Sequence, residues 1–396
     1  MILAPPESDL KFLVVGGGIG GLTAALCLAQ QGHDVHVFEQ AAEFGEAGAG
    51  IQLSPNCTRV LHWLGLEDAL HADAFLPNAT QIRQWQSGAV ISETPLGEDA
   101  IARYGMPYLH IHRGDLLKLL VIAATQNASI TLSTSAPVTS FEQTQAGVTL
   151  QVGDAAHHGD ALIGADGIHS VVRAGLWGDE KPRFTGNVAW RALVPTALLP
   201  EGLIKPMATV WWGPGKHFVH YYVRRGEFVN CVCVTEKSGW EVESWTEPGN
   251  HDELKAEFSG WHTDIAQLIA NVDQQSLYKW ALFDRAPMKR WGIGRVTLLG
   301  DACHPTLPFM AQGAAMAIED AAALALCAEQ DIIGGLRRYE DQRRDRTARI
   351  QQTSRRNAKI FHLSGMNAWL RDRAAGVGSK STMDSLYRYN VLEVIK

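Results

Sequence analysis

The residues with the clearest chemical purpose are the glycines of Val14-Val15-Gly16-Gly17-Gly18-Ile19-Gly20-Gly21, spaced G-x-G-x-x-G at Gly16, Gly18 and Gly21. Backbone without side chains can approach a pyrophosphate, and a helix starting there offers free N–H groups and the positive end of its dipole. Glu39 lies 18 residues beyond Gly21, where a carboxylate accepts hydrogen bonds from ribose hydroxyls and repels a 2′-phosphate. Two further segments stand far away: Gly164-Ala165-Asp166-Gly167 and Gly300-Asp301-Ala302-Cys303-His304-Pro305. The three together argue for one dinucleotide gripped by both halves of the chain. The chemistry they favour is flavin redox chemistry.

These residues need elements to hold them. Phe12-Leu13-Val14-Val15 reads as a buried parallel strand, residues 22–30 as a helix stopped by Gly32, and residues 35–39 as a second strand. Residues 57–64 and 113–124 have helical periodicity, the latter with Leu116, Leu117, Leu119, Leu120 and Ile122 on its apolar side. Alternation from 81 to 91 predicts a hairpin turning at Ser87-Gly88. A strand-rich, aromatic-rich region spans 184–280, the chain returns to the nucleotide unit at Val296, and helices run from about Ala314 to the end. The expected division is a discontinuous FAD-binding unit at 9–77, 104–180 and 281–396, and a substrate-binding sheet unit at 78–103 and 181–280. The fold class is α/β: Rossmann-like, with an inserted, mainly β-sheet domain and C-terminal helices.

Composition narrows the partners. A chain of 396 residues with net charge −7 and no basic block before its C-terminal region argues against nucleic acid. The arginine-rich stretch 337–356 interleaves with acids and is expected to be a solvated helix face. Six scattered cysteines, with Cys231 and Cys233 expected to point apart on a strand, show no zinc-ligand spacing and imply reduced thiols. No metal is expected. Nor does any apolar run approach the ~18 residues of a membrane span. Met1–Glu7 lacks the features of a secretion signal and reads as a short arm. The protein is therefore expected in the cytoplasm.

The motifs resemble those of the class A flavoprotein monooxygenases, the aromatic-acid hydroxylases, over nearly the whole chain. Three segments carry the resemblance: Gly16–Gly21, Asp166-Gly167, and the long run from Gly300 through Gln312-Gly313-Ala314 to Asp320. Gly48-Ala49-Gly50-Ile51-Gln52 and His112-Arg113-Gly114-Asp115-Leu116 point the same way. The resemblance implies FAD as cofactor, NADH or NADPH as co-substrate, and O2 activation through a flavin C4a-hydroperoxide. Its FAD-contacting positions here are Gly16, Gly18, Ile19, Gly20, Gly21, Glu39, Gln40, Gly50, Arg113, Asp166, Asp301, Pro308, Gly313 and Ala314. Arg113 is expected at the phosphates, with a surface ion pair to Asp115 as the plainer reading. Asp166 serves the flavin, or caps the helix after Ser170, or both. Pro305 and Pro308 bracket a rigid, water-poor loop, and His304 reads as structural.

Ring hydroxylation by this family needs an ionised phenol, and hence a base beside it. His217 and Tyr221 are four apart in a strand, so they share a face, and they match the family's ring-pocket pair. His220 falls on the opposite face. Arg83, Arg191, Arg224 and Arg225 are all open as carboxylate anchors. The expected substrate is a small hydroxylated aromatic acid: salicylate first, with decarboxylation, then 3-hydroxybenzoate or 6-hydroxynicotinate. A flavin reductase without oxygen insertion is the alternative of another class.

Overall fold

The computed structural model describes residues 10–45, 49–237, 239–240, 247–328 and 331–395, with the side chains of 376–382 left aside. The expected N-terminal arm and Gly48 lie outside the described residues.

The FAD-fingerprint half is a parallel sheet in the order Val296–Leu298, Ala161–Gly164, Lys11–Val15, Asp34–Phe38, Ile130–Ser133. Its central strand is an unbroken apolar run from Phe12 to Val15 because both of its faces are covered, as parallel sheets require. Helix Ile19–Gln30 packs against helices Arg113–Thr125 and Gly313–Cys327. Gly20 permits the last of these contacts, since a Cβ there would lie 3.2 Å from Ala317 of that helix. In helix Arg113–Thr125 the leucines are buried as expected, but Ile122 is 48% exposed on the outer side. Three leucine-spaced turns already fill the inner face, so its angle about the axis carries it outward.

The other half is a seven-stranded sheet in the order Tyr278–Asp284, Arg183–Pro195, Phe228–Glu236, Lys216–Val223, Met207–Gly213, Ala79–Gln84, Val90–Pro95. Neighbours are antiparallel except Met207–Gly213 and Ala79–Gln84, which run parallel. The hairpin expected at Ser87-Gly88 is present, with Gly88 at φ 68°. One face of this sheet is buried under helices His251–Glu257 and Thr263–Ala270, in a core containing Trp190, Trp211, Phe218, Cys231 and Cys233. Cys231 and Cys233 thus share a face instead of pointing apart, because positions two apart on a strand repeat the same side. All six cysteines are buried, and none is in a disulfide. The opposite face meets the nucleotide half.

The arginine-rich helix Ile332–Phe361 corrects its expectation as a solvated face. Arg343 is fully buried, 2.6 Å from Glu319 and 2.7 Å from Asp320. Arg346 reaches Glu319 at 2.8 Å, and Arg355 reaches Asp284 at 2.6 Å. The neutralising acids come from distant elements, so local charge alternation could not reveal them. His304 completes this network by bonding Asp320, which bears out its structural reading.

Candidate active site

The glycine turn separates two demands on small residues. A Cβ at Gly16 would meet the Ala165 carbonyl at 2.4 Å, at a φ of +104°. A Cβ at Gly21 would meet the Gly16 carbonyl at 2.0 Å. Both are glycine because the protein itself leaves no room. Gly18 differs: its φ is −74°, open to any residue, and no protein atom lies within 4 Å of a Cβ built there. No packing contact accounts for this glycine, and the space beside the turn is open. Gly18 begins helix Ile19–Gln30, which has no side-chain cap and no acid in its first turn, so its N–H groups and dipole remain available to an anion. Glu39 is held by the N–H groups of Gly17 at 2.8 Å and Ala41 at 2.9 Å, at the end of the second strand, with Gln40 exposed beside it.

The second half of the cleft is built alike. Helix Gly313–Cys327 also lacks a side-chain cap and a first-turn acid, which leaves the N–H groups of Gly313 and Ala314 available. The Gln312 side chain is occupied with Ser54 and Asn56. Pro308 starts a short helical turn that ends at Ala311, whose φ of 51° is unusual for a residue with a side chain. Asp301 lies deep in the molecule with its surface open to the cleft. Burial raises its pKa, opposed by His304 and Arg113. Arg113 feels the Asp301 charge in turn, while Asp115, its expected surface partner, is taken by Arg224 at 2.8 Å. Asp166 does cap helix Val171–Trp177, accepting from Val171 and Val172 through Oδ2, yet its buried Oδ1 meets no partner. The glycine void at 18, two uncapped helix ends, Asp301 and the orphaned Asp166 oxygen fit a long, anionic, polyhydroxylated cofactor. Gly50 also has a packing reason to be glycine. Its N–H bonds Asn230 at 2.6 Å and a Cβ there would strike Tyr221 and Asn230, so it is glycine to let the two halves meet.

A family model described as an FAD-binding domain matches residues 9–354. The chain belongs to the class A FAD-dependent aromatic hydroxylases. It is 41% identical over 369 residues to a 3-amino-4-hydroxybenzoate 2-monooxygenase of Streptomyces platensis, covering 92% of each chain. It is 40% identical to a 3-hydroxybenzoate 6-hydroxylase of Polaromonas naphthalenivorans, over 92% of this chain and 91% of that one. A 6-hydroxynicotinate 3-monooxygenase of Bordetella bronchiseptica is 39% identical over 88% and 91%. Among solved structures, Klebsiella pneumoniae HpxO with FAD and uric acid superposes with TM-score 0.84 at 29% identity, covering 98% of each chain. A salicylate hydroxylase substrate complex gives 0.82 at 26%, over 98% and 97%. The protein is an FAD-dependent aromatic monooxygenase, and NAD(P)H is the usual co-substrate of its family.

In this hydroxylase the cofactor half faces the His217 strand. His217 and Tyr221 are both buried on the face turned toward it, each with 3% exposure. Their Cα atoms are about 13 Å apart along the strand, with Val219 between them on the same face. His217 packs on Phe309, ring centres 5.1 Å apart, under the Pro308 turn. Burial, with the nearby His362 second, holds its pKa well below the ordinary imidazole value. Tyr221 packs on His110 at 4.6 Å, and burial pushes its phenol up, so it stays protonated. His220 faces the other way and accepts from Trp211.

Of the four arginines, Arg83 sits over Trp211 and near Asp264, on the far face. Arg224 is held by Asp115, and Arg225 is exposed. Arg191 alone shares the inner face, stacked on Trp280 at 4.6 Å and sensing both Tyr221 and Arg113. Sequence reading missed Gln52 and His110, which the paired strands Gly50–Leu53 and Leu109–His112 carry up to Tyr221, and Tyr108, which precedes the second strand and donates to Gln52. It also missed His362. No helix among the described residues is long and apolar enough to cross a membrane.

Proposed function

We propose that this chain hydroxylates the ring of a small hydroxylated aromatic carboxylate, using NADH or NADPH and O2, with His217 as the base that ionises the phenol. The observation that carries the reading is the inner face of the His217 strand. It presents one buried neutral imidazole, beneath the Pro308-Phe309 turn, and one buried phenol about 13 Å along the strand. A neutral imidazole at physiological pH is ready to accept a proton, and Tyr221, kept protonated, donates to the bound acid instead of competing as a base. Arg191 brings positive charge to the same face and suits the carboxylate. Leu307, Phe309 and Trp280 wall the site with apolar surface that excludes water.

Gly18, the N-termini of helices Ile19–Gln30 and Gly313–Cys327, Glu39, Arg113, Asp166 and Asp301 would hold FAD. Bound FAD supplies the electron-accepting and oxygen-activating centre. We further assign the cofactor half to residues 9–77, 104–180 and 281–396 and the substrate sheet to 78–103 and 181–280. We place the protein in the cytoplasm, where its six cysteines, none of them in a disulfide, stay reduced.

The substrates named for the sequence relatives all carry a ring hydroxyl and a carboxylate, which is the substrate class proposed here. Salicylate belongs in the same panel. The test is that panel of acids, scored by NAD(P)H oxidation, by product identity and by incorporation of labelled oxygen from O2. Stimulated oxidation with no labelled product from any acid would overturn the hydroxylase reading of the substrate.

A further inference from the structure

A base buried at 3% exposure has to dispose of the proton it takes, and the chain supplies a path. His217 Nδ1 lies 2.8 Å from His362 Nε2. His362 Nδ1 lies 2.9 Å from Glu236 Oε1. The His362 side chain is 2% exposed, whereas that of Glu236 is 58% exposed. Three side chains therefore connect the pocket to water in two hydrogen bonds.

The line is assembled from three elements. His217 and Glu236 stand on neighbouring strands, and His362 follows the last turn of helix Ile332–Phe361. The backbone locks them together. The Gly215 N–H donates to the His362 carbonyl at 3.0 Å, and the Glu236 N–H donates to the Gly215 carbonyl at 2.8 Å. On the helix that follows, Arg371 donates to the carbonyls of Ile360 and Phe361 and stacks on Trp212 at 4.6 Å. The charged and titratable groups facing His362 are thus His217, Glu236 and Arg371.

The tautomers follow from the ends of the chain. A carboxylate accepts, so His362 carries its hydrogen on Nδ1 and presents a lone pair at Nε2. His217 must then donate from Nδ1, which leaves its Nε2 as the acceptor. The imidazole is thereby set in the form a base requires.

We propose that His362 and Glu236 are the proton exit of the pocket, passing the phenolic proton from His217 to bulk water. The proposal rests on the reading of His217 as base. The O–H bond of the phenol breaks and its proton binds His217 Nε2. His217 gives up the proton on Nδ1 to His362 Nε2. His362 gives up the proton on Nδ1 to the Glu236 carboxylate, which releases it to solvent. One proton leaves for each phenolate formed, and the reverse transfer restores both tautomers when the product is reprotonated. Burial lowers the pKa of both rings, so neither traps the proton in transit. His362 and Glu236 act through His217 and are positioning residues.

The test uses the oxidised holoenzyme in weakly buffered solution with a pH-indicator dye. The probe is whichever of 3-hydroxybenzoate, 6-hydroxynicotinate or salicylate perturbs the flavin spectrum. Wild-type enzyme is expected to release about one proton per site in step with the rise of phenolate absorbance. Glu236→Gln and His362→Gln are expected to slow that release about tenfold or more, with free imidazole restoring the rate in His362→Ala. Unchanged release in both variants, with release abolished in His217→Asn, overturns the exit and leaves the base standing. Wild-type release in His217→Asn overturns the base itself. A second measurement needs no substrate. In protein labelled with 15N-histidine, His362 is expected as the Nδ1–H tautomer, and Glu236→Gln is expected to shift its populations. Identical tautomer populations in the two proteins overturn the relay.

Discussion

His217 and Tyr221 leave one strand on one face, yet they answer to different neighbours: His217 to His362 and Phe309, Tyr221 to His110. In the function proposed here the pair divides its labour along the substrate ring. His217→Asn and Tyr221→Phe are expected to keep wild-type FAD content and to retain flavin reduction. Hydroxylation should fall on the order of a hundredfold in His217→Asn. NAD(P)H consumption should then yield hydrogen peroxide in place of product. Comparing cofactor consumed with product formed checks this; full coupling and full turnover in both variants would make the pair structural.

Gly18 and Gly21 should fail differently. Gly18→Val places its side chain where no protein atom stands, at a φ any residue adopts. The apoprotein should melt as wild type does while flavin content drops to near zero. Gly21→Val meets backbone at 2.0 Å and should lower the melting temperature as well. Flavin absorbance per protein and thermal denaturation of the apo forms separate the two.

Asp301→Ala should weaken FAD more than it weakens the fold. Loss of a charge-assisted hydrogen bond costs about 1.5–3 kcal/mol, roughly tenfold to a hundredfold in affinity. Titrating apoprotein with FAD measures it, and an unchanged dissociation constant would remove Asp301 from the cofactor site.

Arg343→Met leaves Glu319 and Asp320 buried with too little positive charge. Breaking a buried pair in this way costs about 3–5 kcal/mol. A denaturant midpoint close to that of the wild type would show that His304 and Arg346 suffice.

Acid should destabilise the protein through its buried histidines. His220 and His110 are both pushed down to about 3, chiefly by burial. Above the unfolded value near 6.5 neither state binds the extra proton, so stability is level. Between 6.5 and 3 only the unfolded chain binds it, and stability falls with falling pH. His220→Gln should flatten that limb relative to wild type while still accepting from Trp211. Parallel melting curves from pH 7 to 4 in the two proteins would refute this.

The nucleotide half was legible because its signals are local. Strand, turn, helix and acid all fall within residues 12–39. The shared face of His217 and Tyr221 was legible for the same reason, since four residues on a strand return to the same side. What joins them to their surroundings was not. His362 is 145 residues from His217, and only the length of helix Ile332–Phe361, about 45 Å, brings it back to the sheet. Arg343 looked like one more surface cation because its partners lie on another helix. Arg191 could not be chosen among four arginines until the sheet order showed which of them faced inward.

The open space at Gly18 also marks a boundary between two kinds of inheritance. Packing maintains Gly16 and Gly21 in any descendant that still folds, whether or not it carries a cofactor. No packing contact demands glycine at 18, which we assign to the cofactor. In a lineage that gave up flavin while keeping the scaffold, position 18 would be released first and its two neighbours retained. A substituted 18 between intact glycines is thus the signature by which a retired copy of this enzyme can be told from a working one.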